Sequence, residues 1–451
     1  MSKIMVENTT GKKEKAFLVS VTLRNSDQLF SVEDSLLELE RLAQTAGLEI
    51  VGQLSQQINK PNPMTFMGSG KVDELKALVE ETMSDIIIFD DELNPRHQRE
   101  LNRIMGQNVR IIDRTSLILD IFAQHAKTKE GMLQVELAQY QYYLPRLTGA
   151  WTHLTRQSGG GGGRSGGVGG VGLRGPGETQ LELDRRSIGK KIRYLNFEID
   201  KIKKHRNLHR INRKKNNLPN IILIGYTNSG KSTILNKLTN SNVYAADQLF
   251  ATLDPTTRKL ELPGGYISLL TDTVGFIEKL PTSLVAAFRA TLEEIADADL
   301  LLNIVDISHP NAHDHERSVQ KTLEKLDSSN IPSITVLNKI DKLTDNSIMN
   351  ITDGFSEPCI GISAVSGKGI PELLSLIRNI LFETMVPIKV SLPYDQGYLI
   401  SLFHESGQIE QILNERKFTT IIGRIPGRLV AQFQKWNENE VDGDSVDVIN
   451  Y

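Results

Sequence analysis

Residues 225–232 read Gly225-Tyr226-Thr227-Asn228-Ser229-Gly230-Lys231-Ser232 and fit G-x-x-x-x-G-K-[ST]. They stand between the apolar run IILI and a helical pattern, the context that sequence needs. Its glycines let backbone N–H groups face a phosphate at the positive end of a helix. Lys231 would reach the β- and γ-phosphates and Ser232 a Mg2+ ion. Asp272-Thr273-Val274-Gly275 follows the strand-like YISLL, so Asp272 can hold a water of the Mg2+ shell while the Gly275 N–H bonds the γ-phosphate. Asn338-Lys339-Ile340-Asp341 ends the run ITVL. The Asp341 carboxylate can accept from guanine N1–H and N2–H2, whereas adenine would leave that charge unpaired. Ser363-Ala364-Val365, after CIGI, can support guanine O6 through backbone N–H groups. Four motifs in this order, each at a strand's carboxyl end, describe one guanine-nucleotide site.

Between the first two motifs lies Phe250-Ala251-Thr252-Leu253-Asp254, with little regular pattern. A segment that senses the γ-phosphate belongs there, and the Thr252 hydroxyl would complete the Mg2+ shell in the GTP state. Thr256 and Thr257 compete for that role, and spacing does not choose among the three. Phe276 stands where Ras-type GTPases carry a glutamine that orients the attacking water. A phenyl ring cannot do this, which predicts slow intrinsic hydrolysis. Asn228 is a candidate K+ ligand, because an asparagine there occurs in GTPases that bind K+ beside the phosphates. Lys231, Asn228 and Thr252 are therefore the candidate catalytic residues.

The elements that must position these groups are visible as pattern. Over residues 17–113 short β-rich runs alternate with helical ones, predicting a small parallel α/β domain. Leu133, Leu137, Tyr140 and Leu144 then recur at near-heptad spacing, as do Ile188, Ile192, Leu195, Ile199 and Ile202. Two such stripes predict an antiparallel helical hairpin around a loop at residues 146–177. From residue 220 the β–α alternation resumes, with RKLEL and YISLL joined by Pro263-Gly264-Gly265 as an antiparallel edge. The expected architecture is α/β: a P-loop GTPase domain with a mostly parallel sheet at 216–386, preceded by a small α/β domain at 1–114 and the hairpin at 115–215. A small α+β domain at 387–451 follows.

The chain has 451 residues and a net charge of −3, but both glycine and charge are unevenly spread. Twelve of the 35 glycines fall within residues 159–177. Residues 164–215 hold 15 Lys/Arg against 5 Asp/Glu. Such a block reads as a patch for phosphate or nucleic acid, or as a solvated helix face. The lone cysteine excludes an internal disulfide and a cysteine-cluster metal site. No secretory signal or membrane-spanning run is evident, so a cytoplasmic protein is expected. Gly68-Ser69-Gly70-Lys71 looks like a second phosphate loop, yet Thr65 and Val72 replace its first glycine and its Ser/Thr.

Taken together, RGPGETQLELDRR, GYTNSGKST, FATLDPTTR, DTVGFIEKLP and ATLEEIADADLLL make the chain resemble the HflX family of translational GTPases. The resemblance implies binding to the large (50S) ribosomal subunit and its rRNA in the GTP state, and splitting or rescue of stalled ribosomes under stress; a monomer is expected. It also associates the N-terminal part with ATP. The run GGGGGRSGGVGGVGL departs from the family, which passes quickly from SRQ to GTRGPGE. A competing reading is an RNA-remodelling ATPase of the N-terminal domain, regulated by the GTPase domain. Another is a scaffold in which nucleotide only stabilises the fold.

Overall fold

The computed structural model describes residues 13–24, 30–106, 108–147, 176–215, 218–239, 249–250, 254–277, 279, 295–326, 328–343, 352, 354–382, 385–415 and 417–437. The chain divides into two compact units, one of residues 1–260 with 267–370 and one of residues 261–266 with 371–451.

The first unit begins with β1 (Lys15–Leu23), α1 (Val32–Thr45), β2 (Glu49–Ile58), α2 (Ser69–Thr82), β3 (Ile86–Phe89), α3 (Pro95–Met105), β4 (Arg110–Asp113) and α4 (Arg114–His125). The strands pair in the order β2-β1-β3-β4, all parallel. A parallel sheet covered on both faces needs central strands that are apolar toward both, and β1 supplies Ala16, Phe17, Leu18, Val19 and Val21. Ala16, Leu18, Ile86 and Ile88 face one core with α1 and α4, while Phe17, Val19, Ile87 and Phe89 face another with α2 and α3. Helix starts are capped locally: Ser31 accepts from the Asp34 N–H, Asn94 from His97 and Asp113 from Ser116.

Next come α5 (Lys129–Tyr143) and the 40-residue α6 (Pro176–Lys215). The predicted stripes are the seam between them, with Leu137, Leu195 and Ile199 buried and Leu133, Tyr140 and Ile192 packed alongside. Lys129 pairs with Glu198 and Glu136 with Lys191, so the helices run antiparallel. Of the loop expected at 146–177, residues 148–175 lie outside the described residues.

The second sheet has the order β10-β9-β8-β5-β7-β6. It is built from β5 (Asn220–Gly225), β6 (Thr256–Leu262), β7 (Tyr266–Asp272), β8 (Leu300–Asp306), β9 (Ser333–Asn338) and β10 (Cys359–Gly361). The pairs from β10 to β7 are parallel. The turn at Gly264 and Gly265, both at positive φ, makes β6 and β7 the expected antiparallel edge. α7 (Lys231–Thr239) follows β5, and α8 (Ala312–Lys325) follows β8.

The second unit contains most of α9 (Ile370–Leu381) and the antiparallel sheet β11 (Met385–Pro393), β13 (Phe418–Pro426) and β12 (Gln408–Asn414). With α10 (Gly397–Ser406) and α11 (Gly427–Phe433) it encloses Ile388, Val390, Phe403, Ile421 and Phe433. This is an α+β layer, the class expected for the C-terminal part of the chain.

Leu195 is fully buried in a seam only a few side chains wide. Leu195→Ala is expected to lower the unfolding free energy by about 2–4 kcal/mol in a denaturant titration.

Candidate functional site

β5 ends at Gly225, whose φ of 143° only glycine adopts freely; an added Cβ there would collide with the Ile304 carbonyl. The chain turns through Asn228 (φ 61°) and Gly230 (φ 96°) into α7. Gly230 lies so close to the Asn338 carboxamide that any Cβ would displace it. The Asn338 Nδ2 donates to Ser229 O at 2.9 Å, and its Oδ1 accepts from the Ala364 N–H at 3.1 Å. One side chain at the end of β9 thus ties the first, third and fourth motifs together. Lys339 reinforces the tie, donating to Asn228 O at 3.0 Å and to Asp306 at 2.6 Å.

Lys231 is buried, its Nζ donating to Tyr226 O at 2.7 Å and Gly225 O at 3.2 Å. Burial pushes its ammonium down to about 8, against the attraction of Asp272. Ser232 Oγ and Asp272 Oδ2 converge to 2.6 Å, a pair of hard oxygens of the kind Mg2+ takes. The hydroxyls of Thr227 and Ser229 are buried in the loop without a hydrogen-bond partner among the described residues. Thr273 Oγ1 donates to Leu223 O at 2.7 Å and steadies the second motif against β5. Gly275 packs against Lys231 Nζ and Thr227 Cα, each 2.9 Å from where a Cβ would stand. In the fourth motif Ser363 and Ala364 are buried and Val365 faces solvent, as does Asp341 of the third.

Three expectations change. Phe276 is no mere gap in the catalytic set: its backbone pairs with the P-loop, Thr227 N to Phe276 O at 2.8 Å and Phe276 N to Gly225 O at 3.0 Å. Its ring fills a core with Ile222, Ile224 and Leu301. Phe250 and Asp254, expected at the nucleotide, are drawn elsewhere. The Phe250 ring packs edge-on against Phe122 of α4 at 4.6 Å, and Asp254 accepts from the Lys127 and Thr128 N–H groups at 2.9 and 2.8 Å at the start of α5. Both follow from ordinary preferences, apolar burial for the ring and a helix N-terminus for the carboxylate. Ala251, Thr252 and Leu253 lie outside the described residues. Thr256 and Thr257 open β6, and the Thr257 hydroxyl meets that of Thr271 at 3.0 Å.

The Gly68–Lys71 run opens α2 with its polar groups engaged inside the N-terminal domain. The Gly68 N–H is taken by Gln56 at 3.0 Å, Lys71 is paired with Glu74 at 2.8 Å, and Val72 is buried in the core. Among the described residues no cluster of three or more His, Cys, Asp or Glu could hold a metal, and no helix is long and apolar enough to cross a membrane.

Three family descriptions match in succession: "GTP-binding GTPase N-terminal" over residues 33–123, "GTP-binding GTPase Middle Region" over 125–213 and "50S ribosome-binding GTPase" over 220–339. The GTPase HflX of Alkalihalophilus pseudofirmus is 45% identical over 396 residues, covering 88% of this chain and 89% of that protein. The chain belongs to the HflX family of GTPases. The GTPase HflX of Escherichia coli is 41% identical over 399 residues, 88% of this chain and 90% of its own. A crystal structure of a GTP-binding protein from Sulfolobus solfataricus with GDP matches at 22% identity and a TM-score of 0.41, over 81% of this chain and 98% of that one. The protein is a guanine-nucleotide-binding GTP hydrolase.

Sequence reasoning missed the partners of Tyr226 and Lys279. The Tyr226 ring stacks on His315 at 4.0 Å and its hydroxyl donates to Glu38, while Lys279 binds Asp90 and Asp91. An aromatic residue inside a glycine-flanked loop was the available signal; for Lys279 there was none.

The lowered Lys231 pKa has a measurable consequence. A bound polyphosphate favours the charged ammonium, so at pH 8 nucleotide binding should take up protons, and affinity should fall as pH rises from 8 toward 10. Calorimetric titration of GDP at pH 8 in two buffers of different ionisation enthalpy should give different apparent enthalpies; identical ones would contradict a neutralised buried lysine at the phosphates.

Proposed function

We propose that this GTPase binds the large ribosomal subunit in its GTP state and splits or rescues stalled ribosomes under stress, working in the cytoplasm as a monomer. The observation that carries the reading is the basic arm of the hairpin. Arg185, Arg186, Lys190, Arg193, Lys201 and Lys204 are exposed on α6, with the exposed rings of Tyr194 and Phe197 between them. Lys201 sits 4.3 Å over the Phe197 ring. Cations beside exposed aromatic faces suit phosphates and unstacked bases of folded RNA. The matched description "50S ribosome-binding GTPase" supports the same partner.

In this reading the P-loop amides of residues 225–232 cradle the phosphates and Lys231 bridges the β- and γ-phosphates. Ser232, Asp272 through water and, in the GTP state, Thr252 would hold Mg2+, which would neutralise charge on the phosphates. Gly275 bonds the γ-phosphate, Asp341 selects guanine, and Ser363, Ala364 and Val365 close over the base. Domain roles follow the division at residues 114, 215 and 386, with the glycine-rich tip approaching rRNA. Hydrolysis then releases the protein from the subunit.

Sedimentation of intact ribosomes with the protein and GTP, GDP or a non-hydrolysable analogue tests this. The analogue should retain the protein on the 50S subunit and separate the subunits, Asp341→Asn should abolish both effects, and salt should weaken binding steeply. Absence of co-sedimentation at moderate salt contradicts the ribosome reading. Asn228 would hold K+ beside the phosphates, which would supply part of the missing chemistry, so ribosome-stimulated turnover should be several-fold faster in K+ than in Na+ buffer; equal rates exclude this role.

A further inference from the structure

In a doubly wound sheet, ligands settle outside the carboxyl ends of the strands where the strand order reverses. In the N-terminal sheet that point lies between β1 and β3. Asp90 and Asp91 stand there, directly after β3, and Asp90 is fully buried. Arg114, also fully buried, donates to Asp90 Oδ1 at 2.7 Å, and Ser35 Oγ donates to Asp90 Oδ2 at 2.8 Å. A side chain from the second sheet's loops completes the crevice. Lys279, four residues beyond Gly275, places Nζ 2.5 Å from Asp90 Oδ2 and 2.9 Å from Asp91 Oδ1.

The same network reaches the P-loop. Arg114 Nη1 donates to Glu38 Oε2 at 2.7 Å, and the other Glu38 oxygen accepts the Tyr226 hydroxyl. The Tyr226 ring is fixed by its stack on His315. Two segments that flank the phosphates, the P-loop and the chain leaving Asp272–Gly275, are therefore fastened to one set of buried charges around Arg114. Val274 and Ile277 pack on the N-terminal core beside that attachment. Burial opposes the charge on Asp90, yet Arg114 and Lys279 outweigh it and hold its carboxyl below the usual range. Asp91 is pushed up by burial, against the pull of Lys279.

We propose that Tyr226 and Lys279 are positioning residues for GTP hydrolysis, bracing the P-loop and the Asp272–Gly275 segment against the Arg114 network of the N-terminal sheet. That network sets the separation of the two walls of the phosphate site without touching the nucleotide. Without the Lys279 ammonium, the half-buried Asp91 carboxylate faces the buried charge of Asp90 with no cation between them, and the segment beyond Gly275 loses its polar tie to the N-terminal sheet. Small displacements of groups around a transferring phosphoryl cost turnover more than binding. Base recognition by Asp341 and phosphate binding by the P-loop amides persist. The inference rests on the family's GTP hydrolysis and is independent of the ribosome reading.

Steady-state hydrolysis by the full-length protein, without ribosomes, tests it. Lys279→Met should lower kcat about tenfold while KM for GTP and affinity for GDP change by less than about twofold. Lys279→Arg should restore most of the rate. Tyr226→Phe, which removes only the hydroxyl and keeps the ring stack, should also lower kcat. Combined with Lys279→Met it should cost less than the product of the two effects, because both act through one network. A kcat for Lys279→Met at or above wild type, a KM rising in step with the loss, no rescue by arginine, or an unchanged rate in Tyr226→Phe would each overturn the proposal.

Discussion

The Asn338 carboxamide is the interaction on which the nucleotide site depends. Its two hydrogen bonds, to Ser229 O and from Ala364 N–H, join loops that leave three different strands. A buried carboxamide that satisfies two backbone groups from separate loops stabilises all of them, and removing it strands those partners without water. The glycine at 230 follows from this constraint, since a Cβ there would occupy the space of Nδ2. Lys339 adds a second bond to the same loop through Asn228 O. The P-loop's curvature, and with it the inward placement of Lys231, is therefore held from outside the loop as well as by its own glycines.

The site's motifs were legible in the sequence because each is short, local and constrained by the chemistry of phosphate and guanine. Residue spacing alone placed Lys231, Ser232, Asp272 and Asn338, and the structure brings all four to one end of the second sheet. The N-terminal sheet and the hairpin seam were legible from alternation and near-heptad spacing, which report burial directly. What stayed hidden is long-range. Asp254 accepts from amides 126 and 127 residues earlier in the chain, and Lys279 meets a carboxylate 189 residues away. A charged side chain carries no periodic signal of its partner. Phe276 was legible as a missing glutamine but not as a core residue whose backbone lines up the P-loop, because that role depends on a backbone pairing any residue could make.

The N-terminal sheet and the nucleotide site are in this way parts of one mechanical system. Residues before and after Thr252 dock on α4 and the start of α5, while Tyr226 and Lys279 dock on the Arg114 network. Motion of the hairpin or of the N-terminal sheet therefore has direct purchase on the segments that surround the phosphates. A GTPase whose own loops carry a phenyl group in place of a water-orienting side chain depends on how those loops are placed, which makes such purchase consequential.

The most direct test of a single guanine-nucleotide site held together by Asn338 is displacement of fluorescent GDP from the full-length protein by unlabelled nucleotides, with and without Asn338→Ala. GTP and GDP should compete at low concentration, ATP and ADP should fail to compete even in large excess, and Asn338→Ala should weaken guanine-nucleotide binding by more than about tenfold. Displacement by ATP, or unchanged GDP affinity in Asn338→Ala, would contradict it.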